Sequence, residues 1–308
     1  MYLTTLSAHR SIISCVLVLN PMTSFDLNEF KTVQRQSWNN VAEGWKQWWE
    51  TFEKGAQRPS NRLIELAKVK SGQRVLDIAT GIGEPAVSVA KKVGTGGYVL
   101  ATDISSQMLD IAKQRAASLG LQEIIEFKES DAEKLDLPNS HFDAVLCRWG
   151  LMFLPNIEVA IQKIYASLVS QGQFATAVWA DAPKVPVISF AVRIIGELVL
   201  MTAPQPGTPN PFSLADTKRL ENSMAETGFI NVQKEKVNVT FEFASGEEYS
   251  RYCRTVLPPA RAALSKETEQ RKEDIWRKVA EEAAKNYGTP DGHIRMNNES
   301  ICVVGTKQ

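Results

Sequence analysis

The stretch Arg74-Val75-Leu76-Asp77-Ile78-Ala79-Thr80-Gly81-Ile82-Gly83-Glu84-Pro85-Ala86 decides the fold. Its first five residues predict a short apolar strand, and residues 85–93 predict a helix, so both glycines fall in the turn between them. Glycine there lets the backbone turn tightly and lets a ligand approach it closely. With Ala86 the loop also matches the G-x-G-x-x-G/A spacing of dinucleotide-binding loops, a weak signal when taken alone. The same rhythm extends in both directions. Helix is expected at 61–69, 85–93, 106–119 and 156–168, and strand at 74–78, 98–102, 124–128, 142–147 and 173–179. The strands are short and apolar on both faces, as in a parallel sheet covered by helices. Their alternation with helices implies right-handed crossovers and a doubly wound α/β sheet. Gly72, Gly120 and Gly172 fall at the helix-to-strand returns, where a left-handed cap is favoured.

Charge narrows what the glycine loop holds. A pyrophosphate at this turn would meet Asp77 just behind the loop and Glu84 inside it, and like charges at such range repel, most of all where water is excluded. A ligand carrying an ammonium and a sulfonium has the opposite preference, and S-adenosylmethionine is such a ligand. About twenty positions on, the second strand ends in Asp103, where an acidic residue accepts hydrogen bonds from ribose hydroxyls. Asp131, in Ser130-Asp131-Ala132-Glu133, is placed either to accept from an adenine amino group or to cap a short helix.

These stretches together resemble class I S-adenosylmethionine-dependent methyltransferases, in particular the ubiquinone/menaquinone-biosynthesis group and its small-molecule relatives. The matching segments are VLDIATGIGEPAVSVA, GYVLATDISSQMLDIAKQRA, FKESDAEKLDLPNSHFDAVLCRWGLMFLPN and GQFATAVWA, roughly residues 75–180. The resemblance implies a seven-stranded, mostly parallel Rossmann-like sheet with N-terminal helices and helical cap insertions. It implies S-adenosyl-L-methionine as cofactor, with Asp77, Thr80, Gly81 and Gly83 around its methionine part and Asp103 on the ribose. By the same resemblance Ile104 and Met108 flank the adenine, and Asp131 and Ala132 meet its edge. Cys147 and Arg148 stand near the reacting methyl. Residues 183–308 resemble the family more loosely.

Around this core the chain divides into expected units: an extension at 1–24, N-terminal helices at 25–70, the donor-binding core at 71–182, a helical cap at 183–228, and C-terminal strands with a helical insertion at 229–308. The apolar run 12–19 is shorter than the roughly 20 residues that span a bilayer, and the extension is expected to be disordered or to precede a natural start at Met22. Between 30 and 52, Trp38, Val41, Trp45, Trp48, Trp49 and Phe52 recur at helical spacing on one face, as a seal on the sheet or as an aromatic lid. Beyond Trp179 the readings are an apolar helix at 186–201, a proline-rich loop at 203–212, a helix at 213–228, a strand at 232–243, helices at 246–264 and 266–287, and a last strand at 301–305. The apolar helix suits core packing, a homodimer interface or a lipophilic substrate pocket.

Composition removes other classes. Thirty-five basic and thirty-five acidic residues among 308 leave no net charge, so the basic surplus usual for nucleic-acid binding is absent. Four cysteines stand apart without metal-ligand spacing, and three histidines are too few for a histidine-rich centre. A metal-free, cytoplasmic protein acting on a small molecule is expected, without stable membrane insertion. No residue stands out as a general base: His141, His293, Asp181, Tyr165, Tyr249, Tyr252 and Arg254 are candidates that spacing does not rank. A nucleotide-dependent oxidoreductase and a non-catalytic donor-binding protein are the competing readings.

Overall fold

A computed structural model describes residues 26–200 and 207–308. The extension expected at 1–24, part of the proline-rich loop and the end of the apolar helix lie outside them. Strands β1 (Arg74–Ile78), β2 (Tyr98–Asp103), β3 (Ile125–Glu129), β4 (Phe142–Arg148) and β5 (Leu168–Trp179) run parallel in the order β3-β2-β1-β4-β5. Beyond β5 lie β7 (Ile294–Lys307) and, at the edge, β6 (Phe229–Phe243), with β7 antiparallel to both neighbours. This is the doubly wound, seven-stranded sheet expected from the alternation and the resemblance.

Helices α2 (Ala86–Val93), α3 (Ser106–Ser118) and α4 (Ile157–Ser167) make the crossovers. Val75, Leu76, Val99, Val145, Leu146, Phe174 and Ala175 are all buried, which explains why these strands read as unbroken apolar runs. The chain reverses at β1, with β2 on one side and β4 on the other. In open sheets of this kind ligands bind at the strands' carboxyl ends beside such a switch point. The glycine loop after β1 opens at that point.

Several boundaries differ from the sequence reading, each for a local reason. The two helices expected at 30–52 and 61–69 are one 40-residue helix, α1 (Leu27–Leu66), which runs through Pro59. Proline removes one helical donor, but the helix continues because its face from Trp48 to Ile64 is buried in the core. Gly172 lies inside β5, and the left-handed turn residue is Gln171 (φ 65°). Helix α6 spans only Lys218–Thr227, because Asn210 and Ser213 close a turn through side-chain bonds to each other's vicinity, Phe212 N–H to Asn210 Oδ1 at 2.9 Å and Asn210 N–H to Ser213 Oγ at 2.7 Å. The helix expected at 246–264 divides into α7 (Gly246–Val256) and α8 (Pro258–Ala263), where two successive prolines lack donors. Helix α9 covers Glu269–Tyr287.

Strands β6 and β7 outrun their expected lengths at 15 and 14 residues. Along the far half of β6, buried Val237, Val239, Phe241 and Phe243 alternate with polar residues, so this half covers the core with one face only. Helix α5 (Pro186–Leu198) buries Val187, Phe190, Ala191, Ile194 and Ile195 within the chain's own core. No helix among the described residues is long and apolar enough to cross a membrane.

Candidate functional site

The glycine loop is held open by its backbone. Ala79, Gly81 and Gly83 have φ of 56°, 56° and 103°, the left-handed region that penalises side chains. The two glycines do different work. A Cβ on Gly81 would meet nothing within 4 Å, so that residue faces open space, whereas one on Gly83 would stand 3.2 Å from the Ala112 Cβ of α3. Gly81 leaves its backbone open on that side, and Gly83 lets the loop pack against α3.

Asp103, the last residue of β2, ties this loop to the next. Its Oδ2 accepts the Gly81 N–H and its Oδ1 the Ser105 N–H, both at 2.8 Å. Burial pushes its carboxyl up to about 6, against the pull of those backbone donors. Each carboxylate oxygen retains a lone pair, so both backbone bonds are compatible with accepting further donors.

Behind the loop, unsatisfied acceptors gather. Asp77 is fully buried and accepts the Ala86 N–H through Oδ2 at 2.9 Å, while its Oδ1 has no partner. Thr80 Oγ1 and Glu84 Oε2 are likewise buried without partners. Burial raises the Asp77 carboxyl to about 7. Burial, then repulsion from Glu53, raises that of Glu84. Two cations are near. Arg115 lies 3.8 Å from Glu84, donates to the Ile82 carbonyl and packs over the Trp49 ring at 4.3 Å. Arg148 makes paired bonds of 2.9 and 2.7 Å to Glu53 and one of 2.7 Å to Ser60 Oγ. Three buried carboxylates, Asp77, Glu84 and Glu53, thus face two guanidiniums. Buried polar groups without partners are rare and costly, and here they collect where the resemblance puts a ligand's ammonium.

Arg148 and Cys147 are the last two residues of β4. The Arg148 side chain is committed to α1, pairing with a carboxylate. The partner is Glu53 of α1. Spacing carried a faint sign of it, since Glu53 is a charged residue within an otherwise apolar helical stripe. The Cys147 thiol is buried and pushed up to about 12 by that burial, so it is a thiol and not a nucleophilic thiolate at neutral pH.

The rest of the site is closed by the first half of α1. Met108, Ile82 and Ile111 pack with Val41 and Ala42, and Trp38, Trp45 and Trp49 lie against them. Asn39 Oδ1 accepts from Ser105 Oγ at 2.6 Å. Lys31 Nζ bridges Asp131 Oδ2 at 2.7 Å and Glu133 Oε2 at 2.6 Å. Asp131 also caps a short 3₁₀ turn by accepting the Glu133 N–H at 2.9 Å. Ala132 is buried beside it, and Ile104 is half-buried next to Asp103. Lys31, Asn39 and Glu133 were not singled out from the sequence, because their roles depend on contacts 66 to 102 residues away.

On the other side of the loop, past β4, Trp149 has φ 59° and stacks on Trp179 at 4.1 Å. Its Nε1 donates to Ser300 Oγ at 2.9 Å. Phe52 meets Trp149 and Trp45 edge-on, at 5.7 and 4.6 Å, and stacks on Phe241 at 5.2 Å. This aromatic wall lies beside the carboxyl ends of β4 and β5. The base candidates lie elsewhere or are occupied. His141 sits at the amino end of β4, beside Arg74. His293 is in an exposed turn, and Arg254 pairs with Glu273 at 2.6 Å. Burial holds Tyr249 and Tyr252 well above the usual phenol value. Asp181 is exposed, and Tyr165 packs edge-on against Phe229 at 5.0 Å.

Comparison with known proteins bears on the family and the fold. Residues 75–172 match the methyltransferase domain family. The chain is 41% identical over 110 residues to the ubiquinone/menaquinone biosynthesis C-methyltransferase UbiE of Pseudomonas fluorescens, an overlap of 36% of this chain and 43% of that one. It is 39% identical over 110 residues to the UbiE of Ectopseudomonas oleovorans, covering 36% of this chain and 65% of the relative. The first of these matches therefore spans less than half of the relative's length. Among solved structures, the YcgJ protein of Bacillus subtilis superposes with a TM-score of 0.53 at 19% identity, covering 81% of this chain and 97% of that one. The MccD protein superposes at 0.51 and 15% identity, covering 83% of this chain and 98% of its own. These structural likenesses establish the shared fold.

Proposed function

We propose, from the methyltransferase domain at residues 75–172, that the protein transfers a methyl group from S-adenosyl-L-methionine to a small lipophilic or aromatic acceptor. The observation that carries this reading is the surplus of buried carboxylate at the glycine loop. Asp77 Oδ1 and Glu84 Oε2 lack partners, with the Thr80 hydroxyl beside Asp77, and a ligand with a positive amino group and a sulfonium supplies both further donors and the missing charge. A pyrophosphate would add negative charge to the same crevice, which weighs against the nucleotide-dependent oxidoreductase.

When bound, this donor supplies an activated methyl group that leaves its sulfur by in-line displacement. The chain's own residues then have to hold, orient and dry the site. Gly81 offers backbone without a side chain, Asp103 is oriented by two backbone donors to accept ribose hydroxyls, and α1 with its tryptophans excludes water. Positioning of this kind supplies roughly 7–11 kcal/mol of a barrier. The wall of Phe52, Trp149 and Trp179 supports a planar, apolar acceptor beside the β4 and β5 ends. The 110-residue likeness to UbiE supports a quinol-like ring among such acceptors. Neutral net charge and the free Cys147, Cys253 and Cys302 among the described residues support a cytoplasmic small-molecule enzyme.

Calorimetric titration tests the donor: S-adenosylhomocysteine should bind and NADH should not. Incubation with labelled donor and a panel of quinols, phenols and isoprenoids then reads the acceptor by mass. Binding of NADH with no binding of S-adenosylhomocysteine would overturn the proposal.

A further inference from the structure

We infer that residues 27–43 of α1 form a lid over the donor crevice, and that Lys31 is its latch: a positioning residue that sets how long the donor stays bound. This rests on the proposed donor site. The two halves of α1 are held in different ways. From Gly44 onward the helix is locked to the body. A Cβ on Gly44 would come within 2.6 Å of the Thr255 carbonyl oxygen, and one on Gly55 within 2.6 Å of that of Thr240. Glu53 is paired with the buried Arg148 at 2.7 Å. Before Gly44 the helix rests mainly on the site's own residues, with one bond to the body, from the Arg261 guanidinium to the Asn40 carbonyl at 3.2 Å. Val41, Ala42 and Trp38 pack on Ile82 and Met108, Asn39 accepts from Ser105, and Lys31 reaches Asp131 and Glu133.

The latch joins one cation to two carboxylates. Asp131 and Glu133 are each 8% exposed, and Glu133 Oε1 also accepts the Asn156 N–H at 2.9 Å. Burial draws the Lys31 ammonium down, and its bonds to both carboxylates outweigh that, leaving it above its usual value. The Lys31 ammonium therefore keeps its charge at neutral pH. Without the ammonium, Asp131 and Glu133 have no cation between them, and the closed lid keeps at that end the looser Arg35–Glu129 contact at 3.9 Å. Asp131 Oδ1 and Oδ2 each keep a free lone pair with the bridge in place, so Lys31 holds the carboxylate without blocking its contact with a base. The closed lid and the bound donor thus stabilise each other, and a lost latch shows first in the dissociation rate.

The test uses the full chain. Dissociation of S-adenosylhomocysteine is followed by stopped-flow displacement, and amide hydrogen exchange is followed by mass spectrometry with and without that ligand. Lys31→Met should speed dissociation about tenfold and accelerate exchange in 27–43 while leaving 45–66 protected. Lys31→Arg, which keeps the charge, should restore most of the protection. Asn39→Ala, which cuts the second anchor, should act in the same direction more weakly and covers the case in which the first variant folds poorly. Dissociation within twofold of wild type, with unchanged exchange in 27–43 for both Lys31→Met and Asn39→Ala, would overturn the latch. If the wild-type chain binds no S-adenosylhomocysteine, the donor reading fails, and exchange in the ligand-free variants still decides the lid on its own.

Discussion

Arg148 shows how much of a site depends on one side chain's partner. It ends a fully buried strand, and it brings a guanidinium into a region that already holds Glu53, Glu84 and Asp77. A paired buried charge contributes little net stability, but stranding one partner costs about 3–5 kcal/mol. Arg148→Met, which leaves Glu53 without its guanidinium, should therefore lower the unfolding free energy by about that amount, read from urea denaturation. Adding Glu53→Gln to it should recover part of the loss, since the uncompensated carboxylate is gone. Additive losses in the double variant would mean that the pair does not act as a unit. Lysine should not substitute well at position 148, because its single ammonium cannot reproduce the paired bonds.

At the scale of elements, the loops after β1 and β4 set the shape of the crevice by how closely they approach each other. Gly150 is where they meet. A Cβ there would stand 2.5 Å from the Ala79 Cβ and 2.8 Å from Cys147 Sγ, inside the distance that real side chains keep. Gly150→Ala forces the two loops apart, and overpacking of this sort costs about 1–3 kcal/mol. The expected outcome is a lowered melting temperature together with weaker donor binding, because Ala79 belongs to the glycine loop. Weaker stability with unchanged donor affinity would show that the loop after β4 does not govern the loop after β1. Helix α1 makes the same point over a longer distance: its 40 residues join the donor crevice, the aromatic wall and the sheet edge in one rod.

Over the whole molecule, the buried carboxyls make stability and binding respond to pH in opposite senses. Asp77 and Asp103, at about 7 and about 6, hold their protons more tightly folded than unfolded. The ligand-free protein should thus lose stability as pH rises from about 4 through 7, because the folded state must ionise buried groups. A cationic donor prefers those groups ionised. Its affinity should rise between pH 6 and 8, by about tenfold in total as Asp77 ionises. Calorimetry with S-adenosylmethionine in buffers of different ionisation enthalpy checks this, since binding near pH 6.5 should release protons. Binding that is flat in pH and releases no proton would mean that Asp77 does not face the ligand's charge.

The doubly wound sheet, its crossovers, the glycine turn and the acidic ends of β1 and β2 were legible in the sequence, because each follows from residues within about ten positions of one another. Apolar runs, turn glycines and the carboxylate after a strand carry their meaning locally. The continuity of α1 through Pro59, the full length of β6 and β7, and the partners of Arg148, Asp131 and Ser105 were not. Those depend on which surfaces meet across roughly 50 residues or more, and packing or ion pairing at that range overrides local propensity. Local chemistry named the strand ends that face the crevice; only the assembled chain brought Lys31, Asn39 and Glu53 to them, because an ion pair has no signature until both partners share a place.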